Sequence, residues 1–169
     1  LGLYSSATGS KLQGWMPSAP GENFGYLPLE VGDVDGLGRP DYVTTVRTSA
    51  NGPVELETIS AETRTFLPRR PLLPAGLYII HALEPYLDVD GDGLVDLAMS
   101  YQEGWSIDPQ SVLRLISSAT GATLREYRFP DWIGEAPLAM VGDYDRDGIP
   151  DIAVGAPWCS APASLVVVC

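Results

Sequence analysis

One nine-residue pattern occurs three times in this chain, each copy 55 residues after the last. The copies are Asp33-Val-Asp35-Gly-Leu37-Gly-Arg-Pro-Asp41, Asp88-Val-Asp90-Gly-Asp92-Gly-Leu94-Val-Asp96 and Asp143-Tyr-Asp145-Arg-Asp147-Gly-Ile149-Pro-Asp151. A fixed period of this size means stacked supersecondary units that bury their apolar faces against one another. A second pattern keeps step with the first. Leu3-Tyr-Ser-Ser-Ala-Thr-Gly9-Ser-Lys-Leu12 returns as Leu115-Ile-Ser-Ser-Ala-Thr-Gly121-Ala-Thr-Leu124, 112 residues later, with a weaker middle copy at Ile59-Ser-Ala-Glu-Thr63-Arg-Thr-Phe-Leu67. The chain therefore reads as one repeat region, residues 1–169, with units near 1–56, 57–111 and 112–169.

Each unit has the same grammar. An apolar run leads into the Asp loop (Tyr26 to Val31, Tyr78 to Leu87, Pro137 to Val141), and another leaves it (Tyr42 to Val46, Leu97 to Tyr101, Ile152 to Gly155). A third run follows, such as Val112 to Ile116 or Leu165 to Val168, then a Thr-Gly turn and a fourth run, Thr123 to Phe129. The runs are short, β-branched or aromatic, and separated by turn residues; the chain holds 18 Gly and 15 Pro. That pattern predicts an all-β protein of four-stranded antiparallel sheets. One such sheet per period predicts three β-propeller-type blades.

The loops predict a metal. Of 13 Asp residues, 11 lie in the three copies. A Ca²⁺ ion takes about six to eight oxygen ligands. Carboxylates at positions one, three and five of a loop can turn inward around it, Gly at position six permits the sharp bend, position seven offers its carbonyl, and an acid at position nine closes the shell. The second copy fills this scheme with Asp88, Asp90, Asp92, Leu94 (carbonyl) and Asp96, and the third with Asp143, Asp145, Asp147, Ile149 (carbonyl) and Asp151. The first supplies Asp33, Asp35 and Asp41, but Leu37 stands at position five with only its backbone to offer, so this site is expected to be the weaker. An EF-hand is excluded: its position-twelve Glu is replaced by Thr44, Met99 and Val154, and strand-like runs follow where a helix is needed.

With these residues in view the chain resembles the FG-GAP repeat family, that of the integrin α-subunit head. The most specific stretch is Val141-Gly-Asp-Tyr-Asp-Arg-Asp-Gly-Ile-Pro-Asp-Ile-Ala-Val-Gly-Ala-Pro157. Phe24-Gly25 supplies the Phe-Gly element once, and Ile133-Gly134 takes its place in the third unit. The resemblance implies propeller blades with Ca²⁺ in the hairpin between the first two strands of each. It also implies an extracellular or cell-surface setting and a role in adhesion, recognition or scaffolding.

Composition narrows the remaining classes. A formal net charge of −12 repels nucleic acid and anionic membranes, so neither is an expected partner. No run reaches the roughly 18 apolar residues of a membrane span. The single His81 sits beside the apolar Leu77 to Ile80 run and reads as structural; no Gly-x-Ser-x-Gly elbow is present, and the chain is expected not to be an enzyme. Cys159 and Cys169 form either one disulfide or two separate thiols. Trp15, Trp105, Trp132 and Trp158 are expected in blade cores, with a contact surface for a protein or carbohydrate ligand as the other reading. Propellers close with about four to eight blades. Three units therefore suggest a segment of a longer propeller, or a subunit of an extracellular assembly joined through its edge strands. A third reading is a propeller appended to a secreted hydrolase.

Overall fold

The structure, a computed structural model, describes residues 1–104, 110–129, 138–156 and 164–168. Among them the regular elements are strands alone: β1 (Gly2–Tyr4), β2 (Lys11–Gly14), β3 (Asn23–Gly32), β4 (Asp41–Arg47), β5 (Val54–Ile59), β6 (Arg70–Leu73), β7 (Tyr78–Pro85), β8 (Leu97–Glu103), β9 (Gln110–Ile116), β10 (Thr123–Phe129), β11 (Leu138–Gly142), β12 (Asp151–Ala156) and β13 (Ser164–Val168). Every neighbour pairs antiparallel in chain order, which short turns between short strands favour. The first sheet is β3-β4-β5-β6 and the second β7-β8-β9-β10, both four-stranded as expected. The third, β11-β12-β13, has three strands among the described residues, and β1-β2 forms a separate hairpin. Among the described residues the sheets do not close into a ring.

The sheets stack face to face, and period-two alternation decides which residue meets which neighbour. Leu97, Met99 and Tyr101 of β8, with Val112 and Ile116 of β9, join Val31, Val43, Val54, Leu56 and Leu73 of the first sheet in one core. Ala98 of β8, with Leu113 and Leu115 of β9, packs the other way, against Leu138, Ile152 and Val154 of the third sheet. A strand buried on both faces favours apolar residues on both, as in Leu97-Ala-Met99 of β8 and Val112-Leu113 of β9, while β4 and β5 also bury the polar Thr44, Thr45, Glu57 and Thr58. The fourth strand of the second sheet, β10, alternates between exposed and half-buried and carries the polar residues of an edge.

Loops of one kind sit at one end of the stack. The Asp loops join β3 to β4, β7 to β8 and β11 to β12; the Ser/Thr turns join β1 to β2, β5 to β6 and β9 to β10. The three turns close identically. Ser5 N–H donates to Ser10 O, Ser60 N–H to Thr65 O, and Ser117 N–H to Ala122 O, each at 2.9 Å. The residue closing the turn is left-handed in all three: Gly9 (φ 70°), Arg64 (φ 62°) and Gly121 (φ 75°). The middle copy, weakest as sequence, is thus the same turn with an arginine in glycine's conformation.

Phe24 of the Phe-Gly element meets Phe66 edge-to-face, with ring centroids 5.6 Å apart. Arg69 fastens the connector before β3 to the first sheet, holding Glu22 at 2.7 Å and the buried Glu57 of β5 at 2.7 Å. That guanidinium keeps the Glu22 carboxyl down to about 2, while burial raises the carboxyl of Glu57. Trp15 is buried, and its indole N–H donates to Arg64 O at 3.1 Å. Trp105, Trp132, Trp158, Cys159 and Cys169 lie outside the described residues.

Candidate metal centres

Each Asp loop gathers three carboxylates. Asp33, Asp35 and Asp41 form one set, Asp88, Asp90 and Asp96 a second, and Asp143, Asp145 and Asp151 a third; within each set one oxygen per residue lies within 4.8 Å of the others. These are positions one, three and nine. At such separations like charges repel by on the order of 3 kcal/mol per pair before solvent screening, at an effective dielectric near 20. A hard cation between them reverses the sign of that energy, and all-oxygen donor sets suit Ca²⁺ or Mg²⁺ rather than a soft metal. The donor sets therefore fit the ion the sequence suggests.

The loop backbone turns these side chains inward. The position-one acid accepts the N–H of position six in every copy: Gly38 to Asp33 (2.7 Å), Gly93 to Asp88 (2.9 Å) and Gly148 to Asp143 (3.0 Å). The position-three acid accepts the N–H of position five: Leu37 to Asp35 (3.1 Å), Asp92 to Asp90 (3.2 Å) and Asp147 to Asp145 (3.0 Å). Positions four and six are left-handed throughout, at Gly36 and Gly38, Gly91 and Gly93, and Arg146 and Gly148. Short Asp side chains bonding to local N–H groups are what make this winding cheap.

The closing acid has a second task. Asp41, Asp96 and Asp151 are buried at the first residue of β4, just before β8 and at the first residue of β12. One oxygen accepts from the loop's own start: Val34 N–H to Asp41 (2.9 Å), Val89 N–H to Asp96 (2.7 Å) and Tyr144 N–H to Asp151 (2.6 Å). The other oxygen reaches the Ser/Thr turn of the same sheet, taking Ala61 N–H to Asp41 (2.9 Å) and Ser118 N–H to Asp96 (3.4 Å). The two recurring sequence patterns are thus two halves of one assembly. Burial pushes the Asp96 carboxyl above its ordinary range, with the Val89 N–H pulling the other way. The Ser60 hydroxyl, more than the Leu37 N–H, holds that of Asp35 below it.

Position five departs from the expected inward set. Asp92 accepts Leu94 N–H at 2.8 Å and Asp147 accepts Ile149 N–H at 2.7 Å, so both cap the backbone of position seven and stand outside the converging sets. Leu37 gives its N–H to Asp33 and Asp35 and leaves its side chain exposed. Thr44, Met99 and Val154, at position twelve, are fully buried strand residues. Sequence reasoning did not single out Ala61 and Ser118, the turn residues touching the closing acids. The similar offset between the two patterns, 20 residues from Asp41 to Ala61 and 22 from Asp96 to Ser118, is the signal that could have found them.

Residues 138–161, spanning the third loop, match the FG-GAP repeat family. The resemblance seen in the sequence holds there, and the stacked antiparallel sheets are of the propeller type it implies. No curated protein matches the chain. Among the described residues no helix is long and apolar enough to cross a membrane.

Proposed function

We propose that this chain is a non-catalytic, calcium-binding FG-GAP module that works outside the cell in adhesion, recognition or scaffolding. The observation that carries the reading is the threefold set of carboxylates, held in one backbone geometry in loops of which the third lies inside an FG-GAP repeat. Asp33, Asp35 and Asp41 would hold one ion, Asp88, Asp90 and Asp96 a second, and Asp143, Asp145 and Asp151 a third. The carbonyls of Leu94 and Ile149, at position seven, would be the neutral donors. Bound Ca²⁺ supplies fixed positive charge that lets the acids stay ionised and close together.

Such an ion acts on structure rather than on a reaction. It fastens the start of a loop to its closing acid, and that acid already holds the Ser/Thr turn. Filling a loop therefore stiffens one end of a whole sheet and presents a defined surface to a protein or carbohydrate partner. Extracellular calcium-binding modules work at dissociation constants of about 0.1–1 mM, which matches the setting the family implies.

The test is a thermal melt with and without chelator, joined to a calcium titration. Each ion at 100 times its dissociation constant adds about 2.7 kcal/mol to the folded state. Melting should fall when EDTA is added, and Asp88→Asn and Asp143→Asn should each remove one site from the stoichiometry. A titration that gives no heat, with a melting temperature indifferent to EDTA, would overturn the reading.

A further inference from the structure

Neighbouring Asp loops touch one another. Tyr86 lies two residues before the second loop, is buried at 6% exposure, and donates its phenol to the carbonyl of Pro150 in the third loop. Pro150 stands between Ile149, the position-seven carbonyl, and Asp151, the closing acid. The first and second loops meet as well: a methyl group added to Gly32 would come within 3.3 Å of Leu94 Cδ2. A polar link also joins the first sheet to the second. Arg70 of the first sheet donates to Thr58 Oγ1 at 2.8 Å and to Ser118 O at 2.9 Å, and the Ser118 N–H is bonded to Asp96.

We infer that cation binding in adjacent loops is positively coupled, with Tyr86 joining the second loop to the third and Arg70 joining the first sheet to the second loop. This rests on the calcium reading above. An ion in the second loop immobilises Asp88 and the chain just before it, including Tyr86. Tyr86 then fixes the Pro150 peptide, and with it the donors on either side that the third loop offers its own ion. The ordering cost of the third loop is partly met by the first ion bound, which is cooperativity through restricted motion. Arg70 acts in the same way on Ser118 and hence on the orientation of Asp96. Both are positioning residues and touch no ion themselves.

Electrostatics alone gives the opposite sign. Filling one loop removes two units of negative charge from the neighbourhood of the next and weakens its pull on a cation. That effect is screened beyond about 8 Å at physiological ionic strength and fades further in salt, whereas a hydrogen-bonded contact does not. The two are separated by working at high ionic strength.

The experiment is isothermal titration of the full chain with calcium in high salt. Disabling the second loop with Asp88→Asn and Asp90→Asn should weaken the third about fivefold, the lower end of common coupling strengths. Disabling the third with Asp143→Asn and Asp145→Asn should weaken the second by the same factor, because coupling between binding events is reciprocal. In a Tyr86→Phe background both effects should shrink below about twofold, and Arg70→Met should do the same between the first and second loops. A purely structural Tyr86 would lower the melting temperature and leave the fivefold effect intact; that result overturns the inference, as does independence of the loops in the unaltered chain. If the unaltered chain binds no calcium, the reading under Proposed function fails and the coupling falls with it.

Discussion

The first and second Asp loops share a backbone and differ in chemistry. Both are left-handed at positions four and six, and both gather the acids of positions one, three and nine. The first has Leu37 where the second has Asp92, yet its three carboxylates also lie within 4.8 Å of one another. The first also keeps Asp33 and Asp35 half-buried, while Asp88 and Asp90 are exposed. The cage is therefore set by three acids whose partners are backbone N–H groups. The acid at position five is an addition that tunes charge, and it costs the loop nothing in shape when absent.

Removing the closing acid should have the largest effect on both loops. In EDTA, Asp41→Ala removes the acceptor of the part-buried Ala61 N–H and one of two acceptors of Val34 N–H, and Asp96→Ala removes those of the part-buried Val89 N–H and the buried Ser118 N–H. A buried donor left unsatisfied costs about 1–3 kcal/mol and a part-buried one less, so Asp96→Ala should lose about 2 kcal/mol in urea denaturation and Asp41→Ala somewhat less. Asp90→Ala, whose partner is the exposed Asp92 N–H, should cost under about 1 kcal/mol. Equal losses for Asp90→Ala and Asp96→Ala would remove the distinction between cage wall and closing clamp.

A smaller effect sharpens the role of position five. Asp92→Leu turns the second loop into a copy of the first, and Leu37→Asp does the reverse. To reach an ion Asp92 must leave the Leu94 N–H, a net loss of about 1 kcal/mol set against the gain of a full negative charge. Calcium affinity should fall about tenfold for the one and rise about tenfold for the other, roughly 1.4 kcal/mol each way. If neither affinity moves, the position-five acid serves only the turn.

The smallest effect concerns the third loop, where Arg146 occupies the left-handed position held by Gly36 and Gly91 in the others. A side chain in that conformation costs about 1–2 kcal/mol. Arg146→Gly should relieve the strain but loosen the unfolded chain, for a net gain of about 0.5–1 kcal/mol, read as a raised melting temperature. A lowered melting temperature would mean that the arginine side chain has a stabilising contact of its own.

Much of this was legible before any coordinates. The 55-residue period, the strand runs either side of each Asp loop and the left-handed turns all follow from local rules: alternation, turn chemistry and the placement of Asp beside Gly. The loop residues that converge were all among those the spacing pointed to, because one, three and nine are fixed by chain geometry within nine residues.

Other features needed the fold. That Asp92 and Asp147 cap the backbone while their neighbours converge depends on torsions that a sequence does not display. That Asp41 and Asp96 bond Ala61 and Ser118, that Arg70 reaches Ser118 and that Tyr86 reaches Pro150 are contacts across 20 to 64 residues of chain. Repetition alone determined which loops could hold a cation, since that chemistry is contained in nine consecutive residues. Only the stacking of sheets decided which side chains lock each loop to its own turn and to its neighbour. Those partners are brought together by burial of the faces between sheets, which local sequence cannot express.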